Sequence, residues 1–246
     1  MLHTFAKTDT GKTRSLNQDA IFACAEPVGP LPNLFIVADG MGGHKGGEVA
    51  SKAAISAFVN FVKASEPISA ENTLDLLTSS ARYANQEVFQ QAEQDSELLG
   101  MGTTLTACTI VDDGVSIKYN IVHIGDSRAY LLSQNSVTQL TTDHTFVNEM
   151  IKAGQMTQNE AREHPKRNVL TRVLGPALDM NTDGYIHKLE PDTNILLCSD
   201  GLYNMLSENE IGELSNNSKN PAEDLVAAAN ANGGTDNISV ILIKVD

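Results

Sequence analysis

Four apolar runs in this chain break off at an aspartate with glycine or asparagine close by. "LFIVADG" ends in Asp39-Gly40, "YNIVHIGDSRAY" carries Asp126 beside Gly125, and "NILLCSDG" ends in Asp200-Gly201. "GGTDNISVILIKV" reverses the order, with Asp236 leading into the run. A fifth acid, Asp19, precedes a shorter apolar run in "RSLNQDAIF". Runs this rich in Ile, Val and Leu, bounded by Gly, Asp and Asn, read as strands. Strand ends are where a rigid sheet presents side chains to a cleft. Carboxylates gathered there repel one another unless something cationic sits among them. Hard oxygen donors without a matching His or Cys set select Mg²⁺ or Mn²⁺ over Zn²⁺. The glycines allow close backbone approach, and Gly40 can offer its carbonyl oxygen as a further ligand. Any single Asp-Gly or Asp-Asn is also ordinary turn chemistry. Spacing alone therefore reaches a divalent-metal site and goes no further.

The runs predict strands over 33–38, 103–111, 115–124, 129–132, 194–198 and 237–245. "VDDGV", centred on Asp113-Gly114, makes the second and third an antiparallel hairpin. Two long helical patterns interrupt them. One buries Ala50, Ala54, Phe58 and Phe61; the other carries Leu74, Leu77, Ala81, Ala84 and Val88 along one stripe. Thr157 with Glu160 and Ser207 with Glu210 read as capping boxes. A last helix runs from Pro221 to about 231, before Gly233-Gly234. The stretch 141–194 carries no strand signal and is basic in its middle, so the chain reads as one α/β domain with an insertion.

Composition narrows the function classes. Seventeen basic against thirty-one acidic side chains give a formal charge of −14, which disfavours nucleic acid and anionic membranes as partners. There is no Trp for base stacking. Cys24, Cys108 and Cys198 show no CxxC pairing and read as free thiols of a reducing compartment. No apolar signal core opens the chain and no membrane-length run interrupts it, so the expected location is cytoplasmic.

In order along the chain stand "RSLNQD", "VADGMGGHKGGEVAS", "GMGTTL", "HIGDSRAY", "LTTDHT", "HPKRNVLTRVLG", "LLCSDGLYNML" and "GGTDNISVIL". Together they resemble the protein phosphatase 2C (PP2C, or PPM) family of metal-dependent protein Ser/Thr phosphatases, in its compact bacterial form. The resemblance implies an α/β (α+β) four-layer sandwich of two antiparallel β-sheets flanked by helices, as a single domain over 1–246 with a flap at about 141–193. It implies two core Mn²⁺ or Mg²⁺ ions and a third, weaker site. Asp39 matches the acid bridging the core ions, and Gly40 the carbonyl ligand. Asp200 and Asp236 match the acids completing the first ion's shell. Asp19 matches an acid at the second, acting through water, and Asp126 a ligand of the third. Arg14 matches the arginine that grips phosphate, and Asn237 borders the site in a supportive role. The implied activity is hydrolysis of phosphoserine and phosphothreonine in proteins by a metal-activated water, reversing a bacterial Ser/Thr kinase, by a monomer.

Gln18 and Met41 depart from the animal members, which carry glutamate and histidine there. The general acid therefore stays open between His44 and a water at the third ion. Taken alone, Arg14 would read as a surface charge and His123 as a core histidine. "GMGTTL" lacks the lysine of a phosphate loop. In the flap, Arg162, Lys166, Arg167 and Arg172 form a basic cluster in an acidic protein. Lys166 and Arg167 are candidates for guiding acidic phosphopeptides, with a solvated loop as the equal alternative. Two other functions keep the fold: a phosphoprotein-binding pseudophosphatase, and a phosphatase of small phosphoesters.

Overall fold

The alternation of apolar runs and amphipathic helices resolves into four layers. In the computed structural model, which describes residues 2–42 and 46–245, the chain begins with strands β1 (Leu2–Asp9), β2 (Asp19–Cys24) and β3 (Leu34–Met41). Helices α1 (Gly46–Ala64) and α2 (Thr73–Gln94) follow. Next come β4 (Gly102–Thr103), β5 (Leu105–Asp112), β6 (Ile117–Ile124), β7 (Arg128–Leu132) and β8 (Val137–Gln139). Short helices α3 (Phe146–Lys152) and α4 (Gln158–Glu163) lie outside the sheets. The chain returns through β9 (Asp183–Lys188), β10 (Asn194–Cys198), α5 (Asp200–Tyr203), α6 (Glu208–Asn217), α7 (Pro221–Ala231) and β11 (Ile238–Val245). One sheet runs β1-β11-β10-β7-β8; the other runs β2-β3-β5-β6-β9, with β4 paired to β3.

Hydrophobic burial holds the layers together in three places. Between the sheets pack Phe35, Val37, Ile121, Leu197 and Ile241. Outside the six-stranded sheet, α1 and α2 bury Ala50, Ala54, Phe58, Leu77, Ala81 and Val88 against Ile36 and Val122. Outside the other sheet, Leu225, Val226 and Ala229 of α7 cover Val240 and Leu242. Strands in the middle of this stack are covered on both faces, which is why they read as unbroken apolar runs. Cys108 and Cys198 are buried within these layers.

The six predicted strands are all present, and the β5–β6 hairpin turns through Gly114 at φ +79°. Both capping boxes form. The reading of 141–194 as lacking a strand is corrected: β9 lies within it and pairs antiparallel with β6. Its sequence, DGYIHK, is largely exposed at a sheet edge, so no apolar alternation betrays it. The excursion outside the sheets thus spans 140–182. It is tied back by bridges from Thr145 to Leu170 and from Thr103 to Leu174.

Candidate metal centre

The acids reach one edge of the sandwich from both sheets. Asp19 and Asp39 stand opposite each other in the β2–β3 ladder. Asp126 occupies the turn from β6 to β7, where the chain crosses between sheets. Asp200 opens α5 directly after β10, and Asp236 precedes β11. Asp39, Asp126, Asp200 and Asp236 line a cleft of about 300 Å³ with Arg14, Gly40, Met41, Thr104 and Asn237. Asp19 does not line this cleft; it is buried behind it.

Glycines bring these backbones together. A Cβ on Gly40 would run into the carbonyl of Gly47 at the start of α1. A Cβ on Gly201 would likewise collide with the carbonyl of Asn237, so the missing side chain lets Asp200 share the cleft with Asp236. Asn237 supports the rim. Its Oδ1 accepts from the Gln18 N–H at 2.8 Å, and its Nδ2 donates to the carbonyls of Thr10 and Leu16. It thereby holds the loop that carries Arg14.

Asp39 is pinned through its own backbone. Its N–H donates to Thr104 Oγ1 at 2.9 Å, while its carbonyl accepts from Thr104 N–H and Thr103 Oγ1, both at 2.9 Å. Asp19 reaches across the sandwich, and its Oδ2 accepts from the hydroxyls of Ser199 and Ser239 at 2.7 Å each.

Burial and mutual repulsion set these acids apart from ordinary surface carboxylates. Burial raises Asp39 well above the usual carboxylate range, and repulsion from Asp19, Asp200, Asp126 and Asp236 adds to it. Burial, then Asp126 and Asp236, does the same to Asp200. Burial raises Asp19 to about 6 against the pull of its two serines. Asp126 is pushed up to about 7, first by burial and then by Asp143. Among the described residues, no three carboxylate, imidazole or thiol groups form a ready-made ligand cluster; the acids line an open cleft. The donor chemistry nonetheless fits hard divalent ions. Oδ1 of Asp19 and Oδ1 of Asp200 are buried without a hydrogen-bond partner, an arrangement costly unless a cation or water meets them. Arg14 donates to Asp236 Oδ2 at 2.7 Å, placing a positive charge on one of these acids.

The flap residues separate. Arg162 and Arg167 line a second cleft between flap and core, whereas Lys166 holds its ammonium 5.3 Å from the Phe146 ring centroid. Arg172 is engaged by Asp183 at 2.9 Å and Glu149 at 3.6 Å, which removes it from the expected basic cluster. His123 is fully buried, its Nδ1 2.9 Å from Thr106 Oγ1. Met41 is partly exposed at the cleft and carries no exchangeable proton; His44 lies outside the described residues. Sequence reasoning missed Thr103 and Thr104, whose signal is a polar pair before an apolar strand. It also missed Ser199 and Ser239, which interrupt apolar runs. Asn168 and Leu170, which bring the flap to the cleft, had no signal of their own.

A family model described as protein phosphatase 2C matches residues 11–242. The serine/threonine phosphatase Stp of Listeria monocytogenes is 36% identical, with 100% of this chain and 96% of that protein aligned. A Streptococcus agalactiae serine/threonine phosphatase structure superposes with a TM-score of 0.90 at 34% identity, covering 100% of both chains. The catalytic domain of the serine threonine protein phosphatase PstP, in complex with two manganese ions, gives 0.84 at 32% identity, covering 100% and 99%.

Proposed function

The chain belongs to the protein phosphatase 2C family of metal-dependent Ser/Thr phosphatases, and from that premise we propose which of its residues perform the dephosphorylation of phosphoproteins. The observation that carries the assignment is the convergence of Asp39, Asp126, Asp200 and Asp236 on one cleft, with Asp200 leaving a buried oxygen unpartnered. Asp39, Asp200, Asp236 and the Gly40 carbonyl hold the core ions, with Asp19 behind them acting through water. Asp126 and Asp200 hold a third, weaker ion. Mn²⁺ and Mg²⁺ both suit this oxygen set. Such ions supply an activated water and offset the charge on phosphate.

The rest is the work of side chains. Arg14 presents a planar fork that matches two phosphate oxygens; one of its five N–H donors is held by Asp236, itself a proposed ligand, which leaves the others for phosphate. Asn237 keeps Arg14's loop against the cleft. Thr103 and Thr104 fix Asp39 before substrate arrives. Met41 cannot protonate the leaving seryl or threonyl oxygen, which leaves that proton to His44 or to water. The thiol of Cys198 faces the core, so no phosphocysteine forms.

Arg167, with Arg162, lines the second cleft, and Lys166 adjoins Arg167 in sequence; this basic segment guides acidic phosphopeptide segments toward Asn168 and Leu170. Unchanged kcat/KM on phosphopeptides in the Lys166→Ala/Arg167→Ala double variant would remove that role. A monomer in the cytoplasm, opposing a cognate Ser/Thr kinase, completes the proposal; among the described residues no helix is long and apolar enough to cross a membrane.

The deciding measurement is phosphate release from a phosphothreonine peptide with Mn²⁺, with Mg²⁺ and with chelator, beside Asp39→Ala. Turnover that needs metal and is lost in the variant supports the assignment. Peptide binding without turnover under any metal would instead make the site a recognition module.

A further inference from the structure

The turn that carries Asp126 is gripped on both sides by one dipeptide at the root of the flap. Before Asp126, Gly125 gives both its peptide groups to His144. Its N–H donates to His144 Nδ1 at 3.1 Å, and its carbonyl accepts the His144 N–H at 2.8 Å. After Asp126, Arg128 forks onto Asp143, with Nε donating to Oδ1 at 3.0 Å and Nη2 to Oδ2 at 2.7 Å. The guanidinium also lies 3.5 Å over the Tyr203 ring, whose hydroxyl donates to the carbonyl of Asp126 at 3.0 Å.

The hydrogen bonds dictate the state of the His144 ring. An Nδ1 that accepts from Gly125 carries no proton, so the proton sits on Nε2. Nε2 faces Asp183 Oδ2 at 3.1 Å, and Asp183 also takes Arg172 of the flap. The carbonyl of His144 accepts the Thr171 N–H at 2.8 Å. One fully buried residue thus touches the Gly125–Asp126 turn, the flap segment at Thr171 and the anchor of the flap's arginine.

We infer that His144 is a positioning residue, which fixes the Gly125–Asp126 turn through Nδ1 and, with Asp143, makes the placement of Asp126 depend on how the flap is seated. The inference rests on the assignment of Asp126 to the third ion. Outer residues of this kind tune a site by orienting the groups that hold the ion.

The test compares His144→Asn, His144→Gln and His144→Ala in the full chain. Asparagine can place an acceptor where Nδ1 stands; glutamine reaches instead toward the position of Nε2. The first readout is hydrogen exchange at the Gly125 amide in metal-free protein. It is expected to stay near wild type in His144→Asn and to rise about tenfold, roughly the factor of one lost hydrogen bond, in the other two. The second is Mn²⁺ binding followed by electron paramagnetic resonance. The weakest class of sites, identified as the one lost in Asp126→Ala, is expected to weaken about tenfold or more in His144→Ala and less in His144→Asn. Equal behaviour of asparagine and glutamine at Gly125, or a uniform rise across all core amides, would overturn the inference and leave His144 an ordinary core residue. If His144→Ala does not fold, the asparagine–glutamine pair decides alone. If Asp126→Ala removes no class of ions, the assignment of Asp126 fails, and the Gly125 amide still judges the grip.

Discussion

Asp39 and Asp126 open onto the same cleft but are held by different kinds of structure. Asp39 belongs to a ladder, paired with Asp19 and pinned by backbone and hydroxyl groups of Thr103 and Thr104. Asp126 belongs to no strand, and its turn is held by His144, Arg128 and Tyr203. The Asp39 side is therefore set by its place in the β2–β3 ladder together with the two threonines beside it. The Asp126 side depends on side chains, two of them, Asp143 and His144, from the excursion outside the sheets. Damage on the first side should remove stability and turnover together, and damage on the second should mainly change how much metal the protein needs.

The largest expected effect is that of Asp39→Ala, a fall in phosphate release of at least about 10²–10³-fold, the scale of losing one preorganised electrostatic group. Wild-type turnover in that variant would break the comparison at its root. Next comes Thr104→Val, which strands the Asp39 N–H in a buried site. Urea unfolding should register a loss of about 1–3 kcal/mol, the cost of an unsatisfied buried donor, and kcat should drop at every Mn²⁺ concentration. Arg128→Lys gives up the two-toothed grip on Asp143 and the stacking on Tyr203. Its midpoint of Mn²⁺ activation should rise while kcat at saturating Mn²⁺ recovers. If it instead behaves like Thr104→Val, the two sides are not distinct.

The smallest effect concerns pH. His123, whose ring centroid lies 4.9 Å from that of His144, is pushed down to about 3 by burial, with the neighbouring His144 adding to it. Its folded value lies below its unfolded one, so its neutral form favours folding above pH about 6.5. That contribution is lost as pH falls from there toward 3. Between pH 7.5 and 5.5, in chelator, wild type should lose about 1 kcal/mol more unfolding free energy than His123→Gln, by linkage. Equal pH slopes for the two would show that this imidazole accepts a proton without cost.

What could be read beforehand follows the same division. The strands around Asp39, Asp200 and Asp236 are covered on both faces, so their sequences are continuous apolar runs and their acids stand out at the ends. The edge strands carry no such signal. β1 reads LHTFAKTD with three of its eight residues exposed and none buried, β9 is mostly exposed, and β8 has only three residues. The flap was legible as a basic insertion, but its contacts were not. Nothing local to Arg172 reveals that Asp183, eleven residues on, engages it. Nor does "LTTDHT" reveal that its Asp-His pair straddles a turn fifteen or more residues earlier. Long-range polar pairings of this kind depend on how the flap folds back, which a linear pattern does not encode.

The burial of Cys198 has a consequence for signalling. Its thiol, two residues from Asp200, is pushed up to about 12, chiefly by burial. A thiol raised that far stays protonated at neutral pH, and it is the thiolate that peroxide attacks. A phosphatase built on a reactive cysteine is silenced when that sulfur is oxidised. The proposed site has no such fuse, because the side chains assigned to its ions are carboxylates, which peroxide leaves alone. Oxidative bursts that shut down thiol-based dephosphorylation should pass this cleft by.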